Sequence, residues 1–277
     1  MSGIKLVTLP IGNCEDITLR AINSLKMASI VYSEDTRVFK DFCRRADISL
    51  EGKSVRSFHD HSGDKQLESI IELAKTELII FVSDAGSPII SDPAFPLITK
   101  AIDDGINIET NGGVSAVITA LELSGLAPIP FHFHGFLARD KGKFNQDLSL
   151  IGSQYGTHIY FEGKSRVLAT LESIAKAYPD NDIVLARELT KEFQSLHRFK
   201  GHEFNTVKDE ITFKGEFVIL VNNSVKSQSA QSSAQLKEMA QEIIDKGAKP
   251  KKLAKLLAEI TGENSKSIYE AISISKK

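Results

Sequence analysis

Along the first two-thirds of the chain, short apolar runs alternate with stretches whose apolar residues recur at helical spacing. IKLVTL (4–9) predicts a strand. In ITLRAINSLKMA, Ile17, Ala21, Leu25 and Ala28 share one face of a predicted helix, with Asp16 placed to cap it. SIVYSED (29–35) reads as a second strand, 64–76 as a helix, LIIFVSD (78–84) as a strand and 94–104 as a helix. INIET (106–110) is another strand, and VSAVITALELSG (114–125) is a helix that stops at Gly125. Strands and helices in strict alternation point to a parallel sheet covered by helices.

The texture changes after residue 125. Pro128, Pro130 and FHFHGF (131–136) read as a segment crossing between domains, with its phenylalanines packed inward. The strands THIYF (157–161), DIVLARE (182–188), SLHRFKG (195–201) and EFVILVN (216–222) follow, with one clear helix, VLATLESIAKA (167–177). With so few helices between them, these strands favour a mixed sheet. Residues 223–234 are polar and serine-rich and read as a linker. Beyond it, 235–277 is basic and helical, with Pro250 suited to a first turn and Gly262 to a stop. The expected class is α/β: one domain over 1–125, a second over 126–222, the linker, and a small helical module.

Composition narrows the function classes. The chain has 277 residues, a formal charge of −2, no tryptophan, and Cys14 and Cys43 as its cysteines. With no CxxC pair, a zinc site and a disulfide framework are not expected. No apolar stretch approaches the roughly 18 residues of a membrane span and no secretory leader is visible, so a cytoplasmic protein away from membranes is expected. His132 and His134 alternate on one side of a strand, and His59 and His61 do the same in a loop, but no carboxylate or cysteine stands at ligand spacing beside them, so no metal is expected.

Four stretches combine strand ends with loop chemistry: LPIGN (9–13), SDAGSP (83–88), NGGVSA (111–116) and GEF (215–217). Ligands of open α/β sheets bind at the carboxyl ends of strands, where three of the four lie. None has the form GxxxxGK[ST] or GxGxxG. Small residues with a carboxylate suit a zwitterionic or nucleoside ligand: Asp84 for a positive charge or a ribose hydroxyl, Ser87, Ser115 and the amides of 85–87 for a carboxylate. Any one of these loops reads equally as a tight turn; four together point to one site.

LPIGNCEDITLRAINSLK, SEDTR (33–37), VSDAGSPIISDPA and ARELTKEF (186–193) closely resemble the bacterial ribosomal small-subunit methyltransferase I family, of the tetrapyrrole-methylase fold group. The resemblance runs in order from about residue 5 to 222 and its first and third stretches are the most specific. It implies two α/β domains of tetrapyrrole-methylase type with S-adenosylmethionine in the cleft between them. The implied activity is methylation of a cytidine ribose 2′-oxygen in the decoding region of 16S rRNA. Two departures stand out. A family Pro-Gly-Pro-Ser-Ala is Gly112-Gly113-Val114-Ser115-Ala116 here, and Tyr-Glu-Ser-Pro-His-Arg is Phe161-Glu162-Gly163-Lys164-Ser165-Arg166.

With the strand-end loops, the resemblance implies donor contacts from Pro10, Asp84, Ala85, Gly86, Ser87, Ser115, Ala116, Phe161, Ala186, Gly215 and Glu216. The acceptor hydroxyl needs a base or a charge that stabilises an alkoxide. Glu34, Asp35 and Glu162 are candidate bases, and Arg187 and Lys191 candidate electrostatic partners; helix capping by Glu34 or Asp35 and a structural ion pair at Arg187 compete with these roles. Three basic runs are candidates to grip phosphates: Arg37, Lys40, Arg44 and Arg45; Arg139, Lys141 and Lys143 in a loop; and Lys249, Lys251, Lys252 and Lys255 on the tail. Each also reads as a solvated face, and in an acidic chain at least one is expected to bind RNA. The expected partner is 16S rRNA within the small ribosomal subunit, the expected assembly a homodimer. A methylase acting on a tetrapyrrole precursor and a non-catalytic RNA-binding assembly factor are the rival readings.

Overall fold

Strand β1 (Gly3–Val7) is hydrogen-bonded on both sides, with β4 (Leu78–Val82) on one edge and β5 (Ile108–Asn111) on the other. Strands β2 (Ile30–Ser33) and β3 (Ser54–Ser57) extend the sheet beyond β4, giving the order β3-β2-β4-β1-β5 with every pairing parallel. In this computed structural model residues 2–58, 63–90, 94–224, 242–244, 246–261, 265–266 and 268–269 are described. His59 and His61 lie outside them.

Both faces of this sheet are covered, which is why β4 reads as unbroken LIIFV. Ile79 and Phe81 pack with Ile70 and Ile71 of α3 (Asp64–Ala74) and Leu97 of α4 (Phe95–Asp103). Ile80 and Val82 pack with Leu25 of α1 (Leu19–Met27) and Phe39 and Phe42 of α2 (Thr36–Arg45).

The second sheet contains β6 (Phe131–Phe136), β7 (Gly156–Gly163), β8 (Asp182–Arg187), β9 (Ser195–Lys200) and β10 (Glu216–Asn223) in the order β6-β7-β10-β8-β9. It is mixed, with β6 and β7 parallel and the other pairs antiparallel. Period-two alternation sorts its residues. Tyr160, Ile183, Leu185, Ile219 and Val221 meet Ile151 of α6 (Lys141–Ser153), Leu171 and Ile174 of α7 (Val167–Ala177) and Phe204 of the short α8 (Phe204–Val207). Ile159, Val184, Ala186, Val218 and Leu220 meet Val117, Ala120 and Leu121 of α5 (Ala116–Ser124). Helix α5 follows β5 of the first sheet, so it carries the first half of the chain onto the second sheet. Arg198 of β9 holds its far end by donating to the carbonyls of Ser124 and Leu123.

Several local expectations need correction. Asp16 does not cap α1. It ends a 3-10 turn that Asn13 opens, and Thr18 is the cap because its Oγ1 accepts from Ala21 N at 3.1 Å. Lys141 and Lys143 are not in a loop: they occupy the first turn of α6, started by Asp140, whose Oδ1 accepts from Lys143 N at 3.0 Å. Phe144, Leu148 and Ile151 give that helix its inner face, a pattern diluted in the sequence by Gly142, Asn145 and Gln146. Strand β3 was invisible because SVRS has a single apolar residue. FHFHGF is the edge strand β6 of the second sheet.

Residues Met1–Ser224 form one compact unit and Val225–Lys277 a second. In the second, Pro250 opens helix α9 (Pro250–Thr261), and Ala254 and Ile268 are buried against Ile244, Leu253, Leu257 and Ala258. The linker residues 225–234 and Gly262 lie outside the described residues.

Candidate active site

The four strand-end stretches meet. After β1 the chain runs on through Leu9, which exchanges two backbone hydrogen bonds of 3.0 Å with Gly86. Gly86 has φ +73, a conformation glycine adopts without steric cost. The buried Ser83 hydroxyl donates to the carbonyls of Ala85 and Gly86, each at 3.1 Å, and folds the loop after β4 into a tight turn. Asp84 reaches sideways: its Oδ1 accepts from the Asp35 amide at 2.9 Å, across 49 residues of sequence. Ser115 stands at the start of α5 without a side-chain bond to its own helix, so its hydroxyl and the first-turn amides of α5 face the same space.

That space is a cavity of about 420 Å³, within the usual range for small-molecule sites. Ile11, Asp84–Ser87, Ser115–Val117 and Gly215–Val218 form most of its wall, with Phe161–Gly163, Leu189, Ile90 and Phe136 completing it. An acidic group, a helix N-terminus and an apolar wall thus face one volume. The helix end favours an anion, Asp84 a cation or a hydroxyl, and the apolar wall a flat ring.

The turn after β8 locks the two halves together. Glu188 and Thr190 both have left-handed backbones, at φ +50 and +65, and such residues persist where surrounding contacts over-determine them. Between them Leu189, 6% exposed, is turned into the cavity wall. Thr190 Oγ1 accepts from Asn13 N at 3.1 Å, and a Cβ at Gly12 would lie 2.4 Å from Lys191 Cγ and 2.9 Å from Thr190 Oγ1. The first loop therefore docks on this turn through a glycine that has no room for a side chain. Gly215, at φ +106, is equally constrained, since a Cβ there would meet Glu188 Oε1 at 2.5 Å. That closeness lets Glu188 accept from the Glu216 amide at 2.8 Å. Burial alone would raise the Glu188 carboxyl pKa; the Glu216 amide and the Lys191 ammonium outweigh it, and the net shift is downward.

Of the residues expected at the donor site, Asp84, Ala85, Gly86, Ser87, Ser115, Ala116, Phe161, Gly215 and Glu216 line the cavity. Pro10 is buried without lining it, and Ala186, a fully buried residue of β8, packs with Val117, Ala120 and Leu121 of α5 instead. The residues expected to act on the acceptor are dispersed. Glu162 lines the cavity, but its carboxylate is fully buried and bonded within the protein: Oε1 accepts from Gly163 N at 2.8 Å and from Arg166 at 2.7 Å, and Oε2 from the Thr170 hydroxyl at 2.8 Å. Arg187 donates to the carbonyls of Lys214 at 2.6 Å and Phe193 at 2.8 Å. Lys191 is not in the cavity wall; its ammonium lies 2.7 Å from Glu216, which is, and 3.2 Å from Glu188. Glu34 is half-buried at the end of β2, beside Asp35. Asp35 is the N-cap of α2, accepting from Arg37 N at 2.8 Å, and its carboxyl pKa is brought down to about 2 by the Arg37 side chain.

The basic residues are on the surface. Arg37 is paired with Asp35, while Arg44 and Arg45 share Asp41; Arg139, Lys143, Lys251 and Lys252 are exposed. Among the described residues no group of three His, Cys, Asp or Glu side chains could hold a metal ion, and no helix is long and apolar enough to cross a membrane. Val117, Leu189 and Phe136 join the cavity wall without a clear mark in the sequence: Leu189 carries no signal beyond its place inside ARELTKEF, and Phe136 a weak one in the glycine before it.

Residues 3–204 match the family of Tetrapyrrole (Corrin/Porphyrin) Methylases. The chain is 34% identical over 280 residues to Ribosomal RNA small subunit methyltransferase I of Bacillus subtilis, covering 99% of this chain and 95% of that one. The chain belongs to the ribosomal RNA small subunit methyltransferase I family. The family's methyl donor is S-adenosylmethionine. Its fold is shared with the methyltransferase CobJ, at a TM-score of 0.60 and 16% identity over 81% of this chain and 95% of that one. It is also shared with uroporphyrin-III C-methyl transferase of Thermus thermophilus, solved with S-adenyl homocysteine, at a TM-score of 0.53 and 15% identity over 81% of this chain and 99% of that one.

Proposed function

We propose that this protein transfers the methyl group of S-adenosylmethionine to the ribose 2′-oxygen of a cytidine in 16S rRNA of the small ribosomal subunit. The observation that carries the reading is the convergence of four sequence-distant loops on one cavity of about 420 Å³, in a chain that aligns along nearly its whole length with a relative named for ribosomal RNA methylation.

The residues present suit the donor. The first turn of α5, with the free Ser115 hydroxyl, would receive its carboxylate. Asp84 would meet its positive or hydroxyl groups, and Ile11, Val117, Leu189 and Phe161 its adenine. When bound, the donor supplies an electrophilic methyl on a sulfonium, and the protein's work is positioning. Lys191, paired with Glu188 and with the cavity residue Glu216, would stabilise negative charge growing on the acceptor oxygen. Glu162 and Arg187 are assigned to holding the second sheet's loops, since the fold engages both Glu162 oxygens and Nε and Nη1 of Arg187. Arg139, Lys143 and Arg37 would hold phosphates, as would Lys251 and Lys252 of the second unit, and the enzyme would act as a homodimer. Leu19 and Met27, 80% and 83% exposed on α1, are apolar surface of the kind a partner copy covers.

Calorimetry tests the donor site. Wild type should bind S-adenosylmethionine, and Asp84→Ala should bind it at least tenfold more weakly while keeping its thermal midpoint within a few degrees. A folded Asp84→Ala enzyme with wild-type affinity removes Asp84 from the site. Mass spectrometry of nucleosides from methylated small subunits identifies the acceptor, and a product other than a 2′-O-methylcytidine overturns the assignment.

A further inference from the structure

Phe136 ends β6 with a side chain that is 56% exposed yet lines the cavity. Strand alternation does not put it there. Phe131 and Phe133 lie on one face of β6, and His132, His134 and Phe136 would lie on the other. The pairing with β7 breaks this pattern: Phe133 stands opposite Ile159 and Phe136 opposite Phe161, so His134 and Gly135 together face Tyr160. This is a β-bulge, and Gly135 takes the left-handed conformation it requires, at φ +69. The extra residue returns Phe136 to the face of Phe133. There both rings stand edge-on to Phe161, at 4.8 Å for Phe133 and 5.7 Å for Phe136. The histidines remain behind, stacked with His158 and Tyr160.

The following residues are pinned. Leu137 is buried and its carbonyl accepts from Arg166 at 2.9 Å, while the Ala138 amide donates to Asp147 at 3.0 Å. Within seven residues of Phe136 come the exposed cations Arg139, Lys141 and Lys143. A half-exposed aromatic ring in the wall of a cavity, on a pinned strand end and followed by cations, is the arrangement that binds an unstacked nucleotide: the ring takes the base and the cations take the phosphates.

We infer that Phe136 is the stacking platform for the base of the acceptor nucleotide, turned out of its RNA helix and laid against the cavity mouth. The inference rests on the reading of the protein as an RNA methyltransferase and adds the subsite for the acceptor base. A nucleotide inside structured RNA has to be extruded before its ribose can reach the methyl group, and an exposed aromatic ring offsets part of the lost stacking.

The test compares Phe136→Ala, Phe136→Leu and Phe136→Trp in the full chain. Substrates are unmodified small subunits and an RNA oligonucleotide carrying a fluorescent cytidine analogue at the acceptor position. Phe136→Ala and Phe136→Leu should raise the KM for RNA roughly ten- to hundredfold, the size expected for one lost base–aromatic stack, with donor affinity unchanged within about twofold. Phe136→Trp should stay near wild type and, like wild type, quench the analogue on binding, where Phe136→Leu does not. Full function in Phe136→Leu overturns the inference, since an apolar plug would then suffice. An equal loss of donor affinity in Phe136→Ala also overturns it, by placing Phe136 in the donor's wall. Wild-type protein is the control: if it binds donor yet methylates no RNA, the proposed function fails first and the inference falls with it.

Discussion

Replacing Glu162 by glutamine separates a base from a structural tie. The carboxylate has no exposed surface and accepts three hydrogen bonds, from Gly163 N at 2.8 Å, Arg166 at 2.7 Å and the Thr170 hydroxyl at 2.8 Å. Glutamine is nearly isosteric. Its carbonyl keeps the Gly163 and Arg166 contacts, and its amide donates to Thr170, whose hydroxyl rotates to accept. What is lost is the charge on those bonds. Hydrogen bonds to charged groups contribute about 1.5–3 kcal/mol against about 1 for neutral ones, and Arg166 is 30% exposed, so solvent screens part of its pairing. The expected cost is about 1–2 kcal/mol of stability. Because the buried carboxylate is committed to these three partners, single-turnover transfer at saturating donor and RNA should stay within about threefold of wild type. Urea unfolding gives the first quantity and rapid-quench methylation the second. A general base would give the reverse pattern, with stability unchanged and the rate down by about 10²–10⁴. That outcome would refute the structural assignment.

Two further outcomes follow from particular contacts. Gly12→Ala should weaken the docking of the first loop on the Leu189 turn, since its Cβ would lie 2.4 Å from Lys191 Cγ and 3.0 Å from the Leu189 carbonyl; overpacking of this kind costs about 1–3 kcal/mol, read by urea unfolding, with weaker donor binding by calorimetry. The stacked histidines should make the fold acid-sensitive. Burial and the neighbouring His158 and His132 bring the His134 pKa from 6.5 down to about 4, and burial lowers that of His158. The unfolded chain therefore binds more protons in this window, and stability present above about pH 6.5 is lost as the pH falls toward 4. Thermal midpoints measured across that range should fall less steeply in His134→Phe, which keeps the ring beside Tyr160 and removes one titrating group; an unchanged slope would remove His134 as its source.

Much of the architecture was legible because it depends on local periodicity. LIIFV announces a strand buried on both faces, and VLATLESIAKA coincides with α7, because an inner face must recur every three or four residues whatever lies across from it. The strand-end loops were legible for a related reason: a glycine or serine just past an apolar run reports a backbone demand of the turn itself, as Gly86 at φ +73 does. Helix α6 was lost where polar residues dilute its inner face, and β3 where an edge strand has little to bury.

Side-chain roles were decided in three dimensions. Glu162, Arg187 and Lys191 are equally plausible reagents when read in line, since charge and position next to a strand end are all that a sequence displays. Partners drawn from elsewhere separate them: Thr170 and Arg166 engage the first, the Lys214 and Phe193 carbonyls the second, and Glu216, a cavity residue, pairs with the third. The sequence by itself determined two layered α/β sheets and the loops at their strand ends, because backbone preference and hydrophobic period are local properties. Tertiary structure alone decided that Leu189 and Phe136 line the cavity, because a left-handed turn locked by Gly12 and a one-residue bulge at Gly135 each redirect a side chain through contacts more than twenty residues distant in the chain.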